Sequence, residues 1–158
     1  MDSEKLIAVM EKLLKLHQSL CSLAERKTDI VKKGDMDALT QLLKEEQAHI
    51  AAIKKLEGER ESIASRIVPI LDKPSISDCL NFLEGAEKEK LQQIRSELFE
   101  TVHQIKGKND LNQQLIYQSL QFVNLSLNLI APQPDTINYG PEAGKRKSQS
   151  SGMFNSRA

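Results

Sequence analysis

A chain of 158 residues is long enough for one domain with a modest hydrophobic core. Its 22 basic and 22 acidic residues cancel, so no long-range field attracts nucleic acid or an anionic membrane. No apolar stretch approaches the roughly 20 residues of a membrane span, and no apolar run follows the first five residues as in a signal peptide. We therefore expect a cytoplasmic protein without stable membrane insertion.

The composition favours helix along most of the chain, because Leu, Glu, Lys and Gln are abundant while Gly and Pro are scarce. The β-branched alternation of a sheet is missing. The predicted fold is all-α: an antiparallel bundle of three long helices with a short connecting helix and a disordered C-terminal tail. We expect the bundle to cover residues 1–131 and the tail to cover 132–158.

The first helix is predicted over residues 3–33, with Ser3 as its N-cap. Apolar residues recur along it in steps of four and three, which is typical of a helix face that packs against a neighbour. Gly34 suits the left-handed position after a helix, and Asp35 suits the N-cap of the next. A link this short predicts that the first two helices run antiparallel.

The second helix is predicted over residues 36–68, where Pro69 should kink or end it. A short helix over residues 78–83 follows, with Ser77 as its cap. The third long helix is predicted over residues 86–130. Its apolar stripe consists of Leu91, Ile94, Leu98, Val102 and Ile105.

Residues 107–110 interrupt the pattern of the third long helix with Gly-Lys-Asn-Asp. We interpret them as a kink or a weak hinge inside a continuous helix. The alternative is a full break, with Asn109 or Asp110 as a new N-cap.

The composition changes sharply at Pro132, since Pro, Gly and Ser are frequent beyond it and apolar residues are scattered. Such a segment buries too little surface to offset the entropy of ordering, which predicts the disordered tail. Its small basic cluster, Lys145-Arg146-Lys147, is interpreted as solvated charge.

No nucleophile motif, Gly-rich phosphate loop or Cys-x-x-Cys is present, so we predict no enzyme activity and no cofactor. Glu46-x-x-His49 and Glu100-x-x-His103 match the spacing found in di-iron carboxylate bundles. Only the first pair lies on a row of residues predicted to face the core, whereas a di-iron site needs both.

Pairing the first two helices about Gly34 brings His17, Cys21, Glu46 and His49 near one another. Zinc accepts ligands of all these types. The alternative is a hydrogen-bonded polar layer that sets the register of the helices, as in coiled coils. We favour the polar layer and predict no metal site.

The segment from Leu111 to Pro134 carries no charged residue. On a helical wheel its apolar residues span an arc of about 220°, wider than the stripe of about 100° that an ordinary surface helix needs. The functional interpretation is a face that binds a partner helix, and the alternatives are burial inside the bundle or a homodimer. The residues expected to bind the partner are Leu115, Ile116, Leu120, Phe122, Val123, Leu127 and Ile130.

Several short motifs follow one another in order along the chain. They are Leu13-Leu14-x-Leu16-His17, Lys27-Thr28-x-Ile30-Val31-x-x-Gly34-Asp35, Leu39-x-x-Leu42-Leu43-x-x-Glu46-Gln47, Leu56-Glu57-x-Glu59-Arg60, Leu111-Asn112-x-Gln114-Leu115-Ile116-x-x-Ser119-Leu120 and Ile137-Asn138-Tyr139-Gly140. In this order and spacing they resemble the FlgN family of flagellar export chaperones. Residues 73–100 match little beyond being helical.

The resemblance implies a cytosolic type III export chaperone that keeps hook-associated (hook–filament junction) proteins soluble and delivers them to the export gate. It implies that the C-terminal helices of those proteins bind the C-terminal helical region of this chain, which here contains Leu115, Leu120, Phe122, Val123 and Leu127. It implies neither ATP nor a metal. Tyr139 is a candidate contact for the export gate or its ATPase.

A structural coiled-coil or tethering protein is the alternative function. Such a protein would use the same apolar face for homo-oligomerisation, and a stable homodimer at all concentrations would favour it. A metalloenzyme built on a helical bundle is the third possibility.

Overall fold

The computed structural model describes residues 1–130, except for the side chains of Phe122, Val123, Ser126 and Ile130. The helices of this part are α1 (Asp2–Lys33), α2 (Met36–Ile67), α3 (Ile76–Leu80) and α4 (Gly85–Ile130), and these residues contain no strand. The all-α prediction of three long helices and one short helix is confirmed. The predicted tail, residues 132–158, lies outside the described residues.

The turn between α1 and α2 follows the local rules that predicted it. Gly34 has a φ of 71°, and its N–H donates to the carbonyl of Ile30 at 3.0 Å. The Asp35 carboxylate then accepts from the N–H of Ala38 at 3.0 Å and caps α2. Both predictions for this turn are confirmed.

The prediction that Ser3 caps α1 is wrong. The helix begins at Asp2 with Met1 at the N-cap position, and the Met1 amino group donates to the Glu4 carboxylate at 3.0 Å. Ser3 therefore lies within the first turn, where its hydroxyl donates to the Glu87 carboxylate of α4 at 2.8 Å. The side chain links two helices instead of capping one.

The prediction that Ser77 caps the short helix is also wrong, because the cap is Ser75. The Ser75 hydroxyl accepts from the N–H of Asp78 at 3.1 Å, and the Asp78 carboxylate accepts from the N–H of Ser75 at 2.8 Å. This reciprocal pair requires an acidic residue three positions after the cap, and Ser77 has Leu80 there. The helix accordingly starts earlier than predicted and ends at Leu80, not at Leu83.

The α4 helix continues through residues 107–110, so the alternative of a full break with a new cap there is wrong. The chain forms two compact units, the first of residues 1–111 and the second beginning at Asn112.

Within the first unit, α4 runs parallel to α1 and α2 runs antiparallel to both. Side-chain pairs from α1 to α4 join Ser3 to Glu87, Cys21 to Gln104 and Glu25 to Lys108, an offset of 83 or 84 residues each time. Pairs from α1 to α2 run in the opposite sense, from Asp2–Arg66 at 3.2 Å to Arg26–Glu45 at 3.4 Å. Three long helices therefore form the predicted bundle in this unit.

The main hydrophobic core lies at the end of the bundle where α1 and α4 begin and α2 ends. The short α3 packs into this core through Cys79 and Leu80, and Leu83 follows it. The core is completed by Leu6, Ile7, Val9, Met10, Leu13, Ile63, Ala64, Val68, Leu91 and Ile94. Beyond it the buried side chains are fewer: Cys21, Leu23, Ala24, Leu42, Thr101 and Ile105. The first unit is thus well packed at one end and thinly packed towards the other.

Candidate functional site

The segment predicted to bind a partner forms the last part of α4, in the second unit. Leu120 and Leu127 are exposed, and Leu115 and Ile116 are half-buried. Phe122, Val123 and Ile130 lie in the helix, but their side chains lie outside what the structure describes. Tyr139 lies outside the described residues altogether.

Exposed leucines occupy two rows of this segment. At about 100° per residue, Leu125 and Leu129 fall on one row, while Leu120 and Leu127 fall on a row about 140–180° away. All four side chains are exposed. The two edges of the wide apolar arc are therefore open to solvent at these four positions, whereas between the edges Leu115 and Ile116 are half-buried and Asn112 is buried.

Polar side chains between and beside these rows make hydrogen bonds within the helix itself. The Ser119 hydroxyl donates to the carbonyl of Leu115 at 2.9 Å, and the Gln121 amide donates to the Tyr117 hydroxyl at 2.9 Å. These groups keep an uncharged segment hydrated without introducing a charge that a partner helix would have to desolvate.

The four residues considered as zinc ligands do not converge. His17 donates through Nδ1–H to the carbonyl of Leu13 at 2.7 Å, and the Cys21 thiol lies 3.8 Å from the Gln104 side-chain oxygen. The Glu46 carboxylate lies 3.3 Å from the Lys27 ammonium group. Among residues 1–130, no group of three or more His, Cys, Asp or Glu side chains is arranged to hold a metal ion.

His49 joins α1 to α2 through a hydrogen bond between its Nε2 and the Ser19 hydroxyl, and a second hydrogen bond within α2 determines its tautomer. Nδ1 lies 2.8 Å from the carbonyl of Glu45, which can only accept, so this nitrogen carries the proton. In the neutral ring Nε2 then accepts from the Ser19 hydroxyl at 2.7 Å. His49 and Glu46 thus form polar bridges between helices, whereas His17 bonds only within α1.

A second feature, in the first unit, was not found by the sequence analysis. A pocket of about 360 Å³ opens beyond the start of α3. Two of the long helices form its walls: Glu57 and Arg60 belong to α2, and Arg95, Leu98, Phe99 and Val102 belong to α4. The lining is completed by Met10 of α1 and by Ser75 and Ile76 at the start of α3. We call this pocket and its rim the α2–α4 groove.

Two apolar residues of the groove are open to solvent: Phe99 is 76% exposed and Val102 is 44% exposed. The sequence places Val102 in the apolar stripe predicted for α4. Because this side chain is exposed, the predicted core position is wrong for this residue. The other residues of that stripe are buried or half-buried. The sequence signal that was overlooked is the spacing of residues 95, 98, 99 and 102, which places them on one helix face.

Cys79 of α3 is a buried free thiol. Burial raises the pKa of Cys79 above its usual value, although the neighbouring Arg60 acts in the opposite direction. A buried thiol that stays protonated is a weak nucleophile. Cys21 is buried as well, and both cysteines are free.

No helix within the described part of the chain is both long and apolar enough to pass through a membrane.

A scan against protein families matches residues 1–147 to the family described as FlgN protein. The match covers both units and nearly the whole chain. The chain belongs to the FlgN family. FlgN proteins are flagellar export chaperones, and they bind hook-associated proteins of the flagellum.

One curated relative is similar to the chain along its whole length. It is named "Uncharacterized protein YvyG" of Bacillus subtilis (strain 168), and it is 31% identical over 160 residues that cover all of both chains. No solved structure gives a significant match. The FlgN match includes the uncharged segment of α4 and continues past Tyr139.

Proposed function

We propose that this protein is a flagellar type III export chaperone that binds the C-terminal helices of hook-associated proteins through the apolar face of residues 111–130. It keeps these subunits soluble in the cytoplasm and delivers them to the export gate. The observation that carries the proposal is the charge-free part of α4, with its leucines exposed on two rows.

The physical argument starts from the cost of exposing apolar surface. Each Å² of apolar surface removed from water contributes roughly 25 cal/mol, so leucines left open on one helix favour a partner that covers them. An amphipathic helix is suited to such a face, because its own apolar residues recur every three or four positions. The proposed binding residues are Leu115, Ile116, Leu120, Phe122, Val123, Leu127 and Ile130.

The test compares partner binding with folding in the same variants. Phe122→Ala and Val123→Asp should each weaken the affinity for purified hook-associated proteins by about thirtyfold, which corresponds to about 2 kcal/mol for a central interface residue. Leu120→Asp should do the same, and it should leave folding intact because Leu120 is already exposed. Asn128→Ala, in the middle of the polar side of the helix, is the control and should bind normally.

The opposite outcome separates a binding face from a core. If residues 111–130 are core, Phe122→Ala should cost about 3–5 kcal/mol of stability and lower the thermal midpoint by several degrees. Unchanged affinity together with that loss would refute the proposal. A homodimer that persists at all concentrations and dissociates on Leu120→Asp would instead support the coiled-coil alternative.

Delivery to the export machinery is proposed to involve Tyr139. In a strain that carries Tyr139→Ala, binding to hook-associated proteins should persist while their secretion falls. Secretion at the wild-type level would exclude Tyr139 as a contact for the export gate or its ATPase.

A further inference from the structure

The α2–α4 groove is a space beside α2 and α4, in the first unit, of the kind that a packed helix occupies. The short α3 occupies the space against α2 and α4 for only five residues. Beyond its start, α4 presents residues 95, 98, 99 and 102, the i, i+3, i+4, i+7 spacing that one helix shows to another. Leu98 reaches the core below, whereas Phe99 and Val102 remain exposed.

The two arginines that line the groove differ in whether a neighbouring carboxylate balances their charge. On α2, the Arg60 guanidinium lies 2.6 Å from the Glu57 carboxylate and 3.9 Å from that of Glu61, so its charge is compensated on its own helix. On α4, Arg95 is exposed, and no ion pair or hydrogen bond joins its side chain to another side chain that the structure describes. The groove therefore combines apolar surface with a local positive charge at Arg95, for which the described residues supply no ionic partner, and this fits an occupant that places a carboxylate there.

We propose that the α2–α4 groove is a second docking site for the exported subunit, and that it receives two turns of an amphipathic helix bearing an acidic residue. Apolar side chains of this helix pack on Phe99 and Val102, and a carboxylate of the same helix pairs with Arg95. The inference rests on the proposed chaperone function and extends it from α4 to a surface shared by α2, α3 and α4.

The dimensions of the groove support an occupant of this size. Residues 95 and 102 lie seven positions apart, which is about 10 Å along a helix, or two turns. A volume of about 360 Å³ lies at the lower end of the range of ligand pockets. Two apolar side chains three or four positions apart fill it, and the carboxylate that meets Arg95 lies one turn away.

The first experiment measures the affinity of purified hook-associated proteins for full-length variants of the chaperone by calorimetry. Phe99→Glu and Arg95→Glu should each weaken binding about tenfold or more. Gln93→Glu, which adds a negative charge at an exposed position on the opposite side of the same helix, should leave the affinity within about twofold of the wild type. The thermal midpoints should stay close to wild type because both groove side chains are exposed, so weaker binding is not explained by unfolding.

The outcomes distinguish the two proposals. If the wild-type chain binds no hook-associated protein, the proposed function fails and the docking site fails with it. If the wild type binds, and Phe99→Glu and Arg95→Glu bind equally well, the proposed function stands and the second docking site is refuted.

A photo-crosslinking experiment identifies the occupant. Val102→Cys offers an exposed thiol for a benzophenone maleimide, whereas Cys21 and Cys79 are buried and should label slowly. In the presence of a hook-associated protein, a crosslink to a helical segment of that protein that contains Asp or Glu supports the proposal. A crosslink to a second copy of the chain, or to residues 131–158 of the same chain, overturns it.

Discussion

Two ion pairs on adjacent residues differ in burial, and they should therefore differ in strength. Lys27–Glu46 and Arg26–Glu45 both join α1 to α2, with nitrogen–oxygen distances of 3.3 and 3.4 Å. The side chains of the first pair are each 17% exposed, whereas those of the second are 56% and 38% exposed. Water screens the second pair more strongly, although the distances are nearly equal.

We expect double-mutant cycles to separate these pairs. The coupling energy between Lys27 and Glu46, measured with Lys27→Met and Glu46→Gln by urea unfolding, should be about 1 kcal/mol or more. The coupling between Arg26 and Glu45 should be below about 0.5 kcal/mol, and should fall further in high salt. Equal couplings would show that the difference in exposure has no energetic consequence.

Two glycines in helical surroundings should respond oppositely to the same substitution. Gly34 has a φ of 71° and Gly58 lies within α2, and a Cβ added at either would meet no atom within 4 Å. Gly34→Ala should therefore cost about 1 kcal/mol of stability, because an L-residue disfavours the left-handed backbone. Gly58→Ala should add up to about 1 kcal/mol through helix propensity. Thermal or urea unfolding measures both, and a gain in stability at residue 34 would contradict this assignment of strain.

At the scale of a helix, the five residues of α3 depend on their cap. A helix this short is not stable by itself, so the reciprocal hydrogen bonds of Ser75 and Asp78 and the burial of Cys79 hold it in place. The hydrogen bond from the Ser75 N–H, followed by that from its hydroxyl, lowers the pKa of Asp78. The charged carboxylate is thus favoured in the folded state.

This cap predicts a pH dependence of stability with a definite sign. Because the pKa of Asp78 is lowered on folding, its contribution is present above the unfolded value of about 3.9 and is lost as the pH falls through the folded value. Asp78→Asn should flatten the acid side of the stability curve measured by urea unfolding. Ser75→Ala should cost about 1 kcal/mol at neutral pH, whereas Ser77→Ala, at the position that the sequence favoured, should have little effect. A larger loss at residue 77 would contradict the observed cap.

At the scale of the first unit, stability is concentrated at one end of the bundle. Leu13 of α1 and Leu91 of α4 are fully buried there beside α3, whereas Phe99 lies beyond it in the open groove. The same helix therefore carries a core residue and, two turns later, an exposed aromatic residue.

We expect truncations to follow this division. Leu13→Ala and Leu91→Ala should each cost about 2–5 kcal/mol, because each leaves a cavity in the packed end. Phe99→Ala should cost less than about 1 kcal/mol, since an exposed side chain loses few contacts on truncation. Urea unfolding of the three variants tests this, and a cost at Phe99 comparable to that at Leu91 would mean that the groove is closed in solution.

Much of the fold follows from short-range rules that act along the chain. Leu- and Glu-rich stretches form helix wherever Gly and Pro are missing, and Gly34-Asp35 both ends one helix and caps the next. Pro69 follows the end of α2 closely, as predicted. The cap of α3 was within reach of the same rules, because only Ser75 has an acidic residue three positions later.

The tertiary structure alone decided which apolar and polar residues are covered. The pattern of α4 assigns Leu98 and Val102 to the same stripe, but α3 is too short to cover both, so Leu98 is half-buried and Val102 is exposed. In the same way, the sequence brings Glu46 and His49 near α1, but rotamers and neighbouring donors direct them to Lys27 and Ser19. The spacing of apolar residues in the sequence indicates which side of a helix is apolar, whereas the length and position of the neighbouring helices determine how much of that side is removed from water.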